Sequence, residues 1–105
     1  MVNKILTEAG VKYRRGRFTG KAPDTYAVYR DDWDAGGPDD RPLVIRHDIT
    51  VELYESKPDD KAEASIEKAI GEAGLHYTKH DRYWLSTEQL YQVIYEFTYY
   101  EKRRA

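Results

Sequence analysis

"PLVIRHDITVELYE", residues 42–55, alternates without interruption. Leu43, Ile45, His47, Ile49, Val51 and Leu53 fall on one face, and Arg46, Asp48, Thr50 and Glu52 on the other. A period of two over this length predicts a long, half-buried β-strand. A strand that is apolar on one side needs a second layer to cover it, so the flanking segments must supply helices and partner strands.

They do so on both sides. Downstream, "SKPDDKAEASIEKAIGEAG" (56–74) reads as a helix with both ends marked. Pro58 suits its first turn, Asp59 or Asp60 can cap it, and Glu63 lies three residues after Asp60. Ala62, Ile66, Ala69, Ile70 and Ala73 form its apolar stripe, and Gly74 can close it in the left-handed conformation. "LHYTK" (75–79) is a further strand that leads through a polar turn towards "YWLSTE" (83–88). "QLYQVIYEFTYYE" (89–101) is the last strand. It sets Tyr91, Val93, Tyr95, Phe97 and Tyr99 on one face, with Gln92, Glu96 and Thr98 on the other and Ile94 among them. Upstream, Val2, Ile5, Leu6 and Ala9 recur at helical spacing before Gly10. "TYAVYR" (25–30) is dense in aromatic and β-branched residues and reads as a strand. "EAGVKY" (8–13) and "EAGLHY" (72–77) each end a helix and enter extended chain.

The order is α-β-β-α-β-β. Short connections favour antiparallel neighbours, so the expected fold class is α+β: an antiparallel or mixed sheet of four to five strands with two helices packed on one face. Residues 1–105 are expected to form one domain, with a basic N-terminal arm (11–22) and an acidic hairpin loop (31–41).

Those two segments carry most of the localised charge. "VKYRRGRFTGK" holds Lys12, Arg14, Arg15, Arg17 and Lys21 without an acidic residue, and glycine and proline around it suit an irregular arm or a short edge strand. "DDWDAGGPDD" (31–40) packs five aspartates, two glycines and a proline into ten positions. As an EF-hand loop starting at Asp32 it has Asp34 and Gly37 in place. Gly36 then lacks the side-chain oxygen needed at position five, and Leu43 stands where a bidentate glutamate is required. The segment therefore reads as a hairpin tip, a solvated projection whose role is electrostatic.

No residue presents itself for catalysis. "HYTKH" (76–80) has helical ligand spacing but lies in extended chain, where four residues span about 13 Å and two histidines cannot share an ion. His47 lies on the apolar face of its strand and is expected to be hydrogen-bonded and partly buried. Asp48, its neighbour, points to the opposite face, so the two cannot form a dyad. Ser56, Ser65 and Ser86 lack a GxSxG context, and no phosphate-binding glycine loop occurs. No catalytic residue, cofactor or metal is expected. The chain has no cysteine, which removes disulfides and thiolate sites. Its formal charge of −2 gives no global attraction to nucleic acid or anionic membranes. No segment reaches the roughly 18 apolar residues of a membrane span, and "MVNKILTEAG" does not read as a signal peptide, so cytoplasmic synthesis is expected. Ten tyrosines in 105 residues suit strands and protein interfaces alike.

"TYAVYRDDWDAGGPDD" (25–40), "HDITVELYESKPDDKAEASIEKAI" (47–70) and "YQVIYEFTYYEK" (91–102) together resemble the small tail-completion proteins of long-tailed bacteriophages and prophages, the tail terminators and head–tail joining components. That resemblance implies an α+β subunit made in the bacterial host cytoplasm and located in the virion tail or neck. It would assemble as a ring, commonly of six, on the tail tube, and would offer a surface to the head connector. It carries over no catalytic residue. A ring uses heterologous contacts, in which one patch meets a different patch on the next subunit. The expected interface residues are Lys12, Arg14, Arg15 and Arg17 of the basic arm, Asp31, Asp32, Asp34, Asp39 and Asp40 of the acidic projection, and Tyr95, Tyr99 and Tyr100 of the last strand. Either the acidic projection reaches the basic arm across the subunit boundary, or one of them faces tube or connector. The rival reading is a small nucleic-acid-binding protein that uses the basic arm and its aromatics, with binding that falls steeply in salt.

Overall fold

The alternating segment is the middle of a mixed sheet. The computed structural model describes residues 1–16, 23–36 and 43–103, with Leu43 described in its backbone only. In chain order the elements are α1 (Val2–Ala9), β1 (Tyr13–Arg15), β2 (Thr25–Gly36), β3 (Leu43–Glu55), α2 (Asp60–Glu72), β4 (Thr78–Lys79), β5 (Tyr83–Leu85) and β6 (Leu90–Arg103). The sheet order is β1-β2-β3-β6-β4, and β5 also pairs with β6. Every pairing is antiparallel except β1 with β2, which is parallel. The fold is α+β, as the periodicities predict, with one strand more than the expected maximum.

Register fixes which side chains share a face. Ile49 lies between Asp31 and Phe97, Val51 between Tyr29 and Tyr95, and Leu53 between Ala27 and Val93. Apart from Asp31, these residues turn towards the helices and meet Val2, Ile5 and Leu6 of α1 and Ile66, Ala69 and Ile70 of α2, with Val11, in one buried cluster. The other face carries Tyr26, Arg30, Asp32 and Asp34 of β2, the even-numbered residues of β3, and Gln92, Glu96 and Thr98 of β6. It is largely polar, as expected for an antiparallel sheet with one solvated side.

Both helices end on a glycine, in matching fashion. Gly10 has φ 73° and Gly74 φ 77°, and the next residue in each case, Val11 or Leu75, donates its N–H back to Leu6 or Ile70. This is the closure in which a left-handed residue satisfies the orphan carbonyls of the last turn. At the other end of α2, Asp59 accepts from the Ala62 N–H at 3.0 Å and from the Thr25 hydroxyl at 2.8 Å, so the cap also ties α2 to β2.

Three elements depart from the expectation. β2 runs through the acidic run to Gly36, six residues beyond "TYAVYR". β4 is reduced to two residues, and a separate short strand, β5, forms within "YWLSTE". The first difference matters most. At about 3.4 Å per residue, the thirteen residues of β3 run to about 44 Å, whereas the thirteen of α2 reach about 20 Å. The helices therefore cover only part of the sheet. Its remainder, from Arg30 to Gly36, Leu43 to Asp48 and Thr98 to Arg103, is a three-stranded ribbon that carries the molecule to 51 Å in its longest dimension.

Candidate functional site

The ribbon exposes large apolar side chains on both of its faces. Trp33 is 61% exposed on its helix-side face, and Tyr100, opposite Arg46 of β3, is 66% exposed on the other face. Among the described residues, β1 pairs with β2 only as far as Tyr29, and β4 and β5 reach β6 only as far as Glu96. Both long edges of the ribbon thus lack a strand partner among the described residues, and an open edge is a template for pairing with another chain. Asp32 and Asp34 on one edge and Lys102 and Arg103 on the other set charge along them.

At the root of the ribbon His47 joins all three strands. Its Nδ1 lies 2.9 Å from both carboxylate oxygens of Asp31 on β2, and its Nε2 lies 2.9 Å from Oε1 of Glu101 on β6. The Tyr99 ring stacks on the imidazole at 4.5 Å and 9°. His47 is 9% exposed. Burial by itself would lower its pKa, but the hydrogen bonds to Glu101 and Asp31, with their charges, outweigh burial and raise it. Glu101 is held below the usual carboxylate range by Arg103, 2.9 Å away, and by His47. A cleft of about 240 Å³ opens beside this group, lined by Arg15, Asp31, Trp33, Ile45, His47 and Arg103.

A second charged group lies under α2. Glu55, the last residue of β3, has a fully buried side chain, and that of Glu63 is 7% exposed. Arg82, from the β4–β5 connection, reaches Glu55, Glu63 and Asp60, while Lys79 bridges Glu63 at 3.0 Å and Glu67 at 2.8 Å. The buried Tyr95 hydroxyl donates to Glu67 at 2.8 Å. Burial, followed by the hydrogen bond to Glu63, pushes the Glu55 carboxyl up to about 7. Burial also opposes ionisation of Glu63, but hydrogen bonds from Glu55, Arg82 and Lys79 hold its pKa below the ordinary value. Glu55 is therefore the proton donor of the pair and Glu63 the anion. This arrangement locks α2 and the β4–β5 connection to the sheet. The clefts beside β6, β1 and the ribbon do not include Glu55, Glu63 or Arg82 in their walls.

The expected interface residues fare unequally. Asp31 is not a solvated projection: its side chain is 16% exposed and holds His47. Tyr95 is fully buried in the core, because its position in β6 faces Val51 and the helices, so it offers nothing to a neighbouring subunit. Tyr99 is half-buried on His47, and only Tyr100 of the three tyrosines stands out in solvent. Lys12, Arg14 and Arg15 lie on or beside β1, the edge strand that was one of the two expectations for the basic arm. Arg15 turns to the His47 cleft, and Asp32 and Asp34 lie farther along the same edge of the sheet. Arg17, Asp39 and Asp40, with most of the hairpin tip, fall outside the described residues. His80 pairs with Glu96 at 2.7 Å, and no group of three metal-ligating side chains occurs among the described residues.

Glu55, Glu63 and Arg82 were not anticipated. Glu55 continues the apolar phase of Leu53, and Glu63 precedes Ile66 and Ile70 at helical spacing, so the phase of each element already turned them inward.

No protein-family model matches the chain, and no curated protein sequence matches it. Its fold is similar to that of a chain in the solved structure "Virion of native gene transfer agent (GTA) particle", with a TM-score of 0.59 over 95% of this chain and 83% of that one. The two are 12% identical, so the likeness is one of fold. No helix among the described residues is long and apolar enough to cross a membrane.

Proposed function

We propose that this chain is a structural component of a tailed-phage or prophage virion, one that closes the tail tube or joins tail to head as a ring of like subunits. The observation that carries this reading is the fold it shares, over nearly its whole length, with a chain of a virion particle. The distribution of surface chemistry supports it. A ribbon whose long edges have no further strand partner among the described residues, with Trp33 and Tyr100 exposed, offers the aromatic anchors that subunit contacts use.

The placement of charge supports one way of closing such a ring. Basic β1 and acidic Asp32 and Asp34 sit on one edge of the sheet, with Lys102 and Arg103 on β6 at the other side. The acidic edge faces the β6 side of its neighbour, where Lys102 and Arg103 stand, and the basic arm is left for tube or connector. Exposed charge pairs contribute about 0–1 kcal/mol each, so they set register while aromatic contacts hold the ring.

The test is to add the purified chain to polymerising tail-tube protein and measure tube length and end density by electron microscopy, with light scattering on the free chain. Short tubes bearing extra density at one end are expected. A protein that forms no closed oligomer and leaves tube growth unchanged refutes the reading. Neutralising Asp32, Asp34, Asp39 and Asp40 together, with Asp31 kept for its bond to His47, tests the electrostatic part, which fails if assembly is unaffected.

A further inference from the structure

The hydrogen bonding of His47 constrains its protonation. An ionised carboxylate only accepts, and a neutral imidazole carries one N–H and one lone pair. With Asp31 at Nδ1 and Glu101 at Nε2, both at 2.9 Å, a neutral ring would turn a lone pair onto one carboxylate. Only the doubly protonated ring satisfies both. We propose that His47 is a proton-operated clamp: the imidazolium ties β2, β3 and β6 together at the root of the ribbon, and loss of one proton releases one of the outer strands from it.

The surroundings make this connection consequential. Asp31 and Glu101 stand on the same face of the sheet, with the imidazole between them. The other charged or titratable groups near His47 are Arg15 from β1 and Tyr99 and Arg103 from β6. Arg103 already serves Glu101, so the Asp31 side depends most on the His47 proton. Beyond this point each outer strand of the ribbon has β3 as its partner among the described residues, with no helix above it. The sign follows from linkage. His47 is raised in the fold, so its contribution is complete below the pKa of an ordinary imidazole and is lost as pH rises through the folded value. The consequence for subunit assembly rests on the ring reading, whereas the clamp is a property of the single chain.

The experiment follows the His47 ring protons by NMR and the ribbon amides by hydrogen exchange, corrected for intrinsic rates, from about pH 5 to about pH 9 on the free chain. His47 should titrate above an ordinary imidazole. Protection of residues 30–36 and 98–103 should fall by up to about tenfold for each pH unit between the two values, beyond any change that His47→Gln shows over the same range. Glu101→Gln should lower the His47 transition, and His47→Gln should leave ribbon protection low and without this added fall across that window. A His47 transition at or below the ordinary value overturns the proposal, as does ribbon protection that falls no further than in His47→Gln while His47 titrates. Oligomer mass measured over the same range separates the two readings. A clamp that titrates in a chain that never assembles preserves this inference and counts against the ring.

Discussion

Glu55→Gln gives the sharpest test of the buried carboxyl pair. Gln keeps the shape of a protonated glutamate and can still donate to Glu63 and accept from the Asp59 N–H, which now lies 3.1 Å from Glu55. It removes the ionisation and, because an amide nitrogen does not accept, the 3.3 Å bond from Arg82 Nε to Oε1, a loss that does not vary with pH. In the native chain a carboxyl that ordinarily ionises near 4.5 does so near 7. Its folded pKa is raised, so its contribution to stability is complete below the ordinary value and is lost as pH climbs through the folded one. At about 1.4 kcal/mol per pH unit of separation, the native fold is weaker by about 3 kcal/mol on the alkaline side than on the acidic side because of this group. The variant does not carry that loss. Urea unfolding followed by tryptophan fluorescence should therefore find Glu55→Gln gaining about 2–3 kcal/mol on the native chain between about pH 5 and about pH 8.5. The pH dependence contributed by His47 is common to both proteins and cancels in the difference. A stability difference that does not change with pH, or a variant that loses ground as pH rises, means that Glu55 is ionised in the fold and that the assignment of the proton is wrong.

Arg82→Ala should destabilise by about 1.5–3 kcal/mol near neutral pH, since Glu63 loses one of its two cations and keeps only Lys79, with partial recovery in acid on the same urea assay. Gly74→Ala should cost about 1 kcal/mol in thermal unfolding; the added Cβ meets open space, so the loss is that of a left-handed backbone alone. Tyr95→Phe should cost about 1–2 kcal/mol, because Glu67 loses a donor from within the core while the ring stays in place. Trp33→Ala should leave monomer stability within about 0.5 kcal/mol yet reduce oligomer mass in light scattering, and unchanged assembly would remove Trp33 from the interface.

Much of the fold was legible because its signals are local and repeated. The phase of β3 and β6, the apolar stripe of α2 and the glycines at both helix ends each state one structural fact several times over. The extension of β2 was not legible in composition, because aspartate and glycine disfavour strands and favour turns. Here pairing with β3 outweighs propensity. The alternation nonetheless continues through the run, with Asp31, Trp33 and Ala35 to one side and Asp32 and Asp34 to the other. β4 and β5 are too short to show a period. Of the candidate site, the His47 environment was half visible, since the strand phase placed the imidazole inward and hydrogen-bonded. Its two carboxylate partners lie 16 and 54 residues away and depend on a register that a single sequence does not state.

The central position of β3 also sets the schedule by which this molecule can come into being. Its two long partners lie on opposite sides of it in the sequence, and the second, β6, is joined along thirteen positions from Glu55–Tyr91 to Leu43–Arg103. A nascent chain that has released β2, β3 and α2 holds a hairpin and a helix with the apolar side of β3 half clothed, because Val93, Tyr95 and Phe97 are still to come. Contacts between residues so far apart make folding slow. Until β6 has emerged, the inner edge of β3 is available to any passing strand, so a chaperone that shields extended apolar segments should improve the yield of this protein more than a lower growth temperature alone.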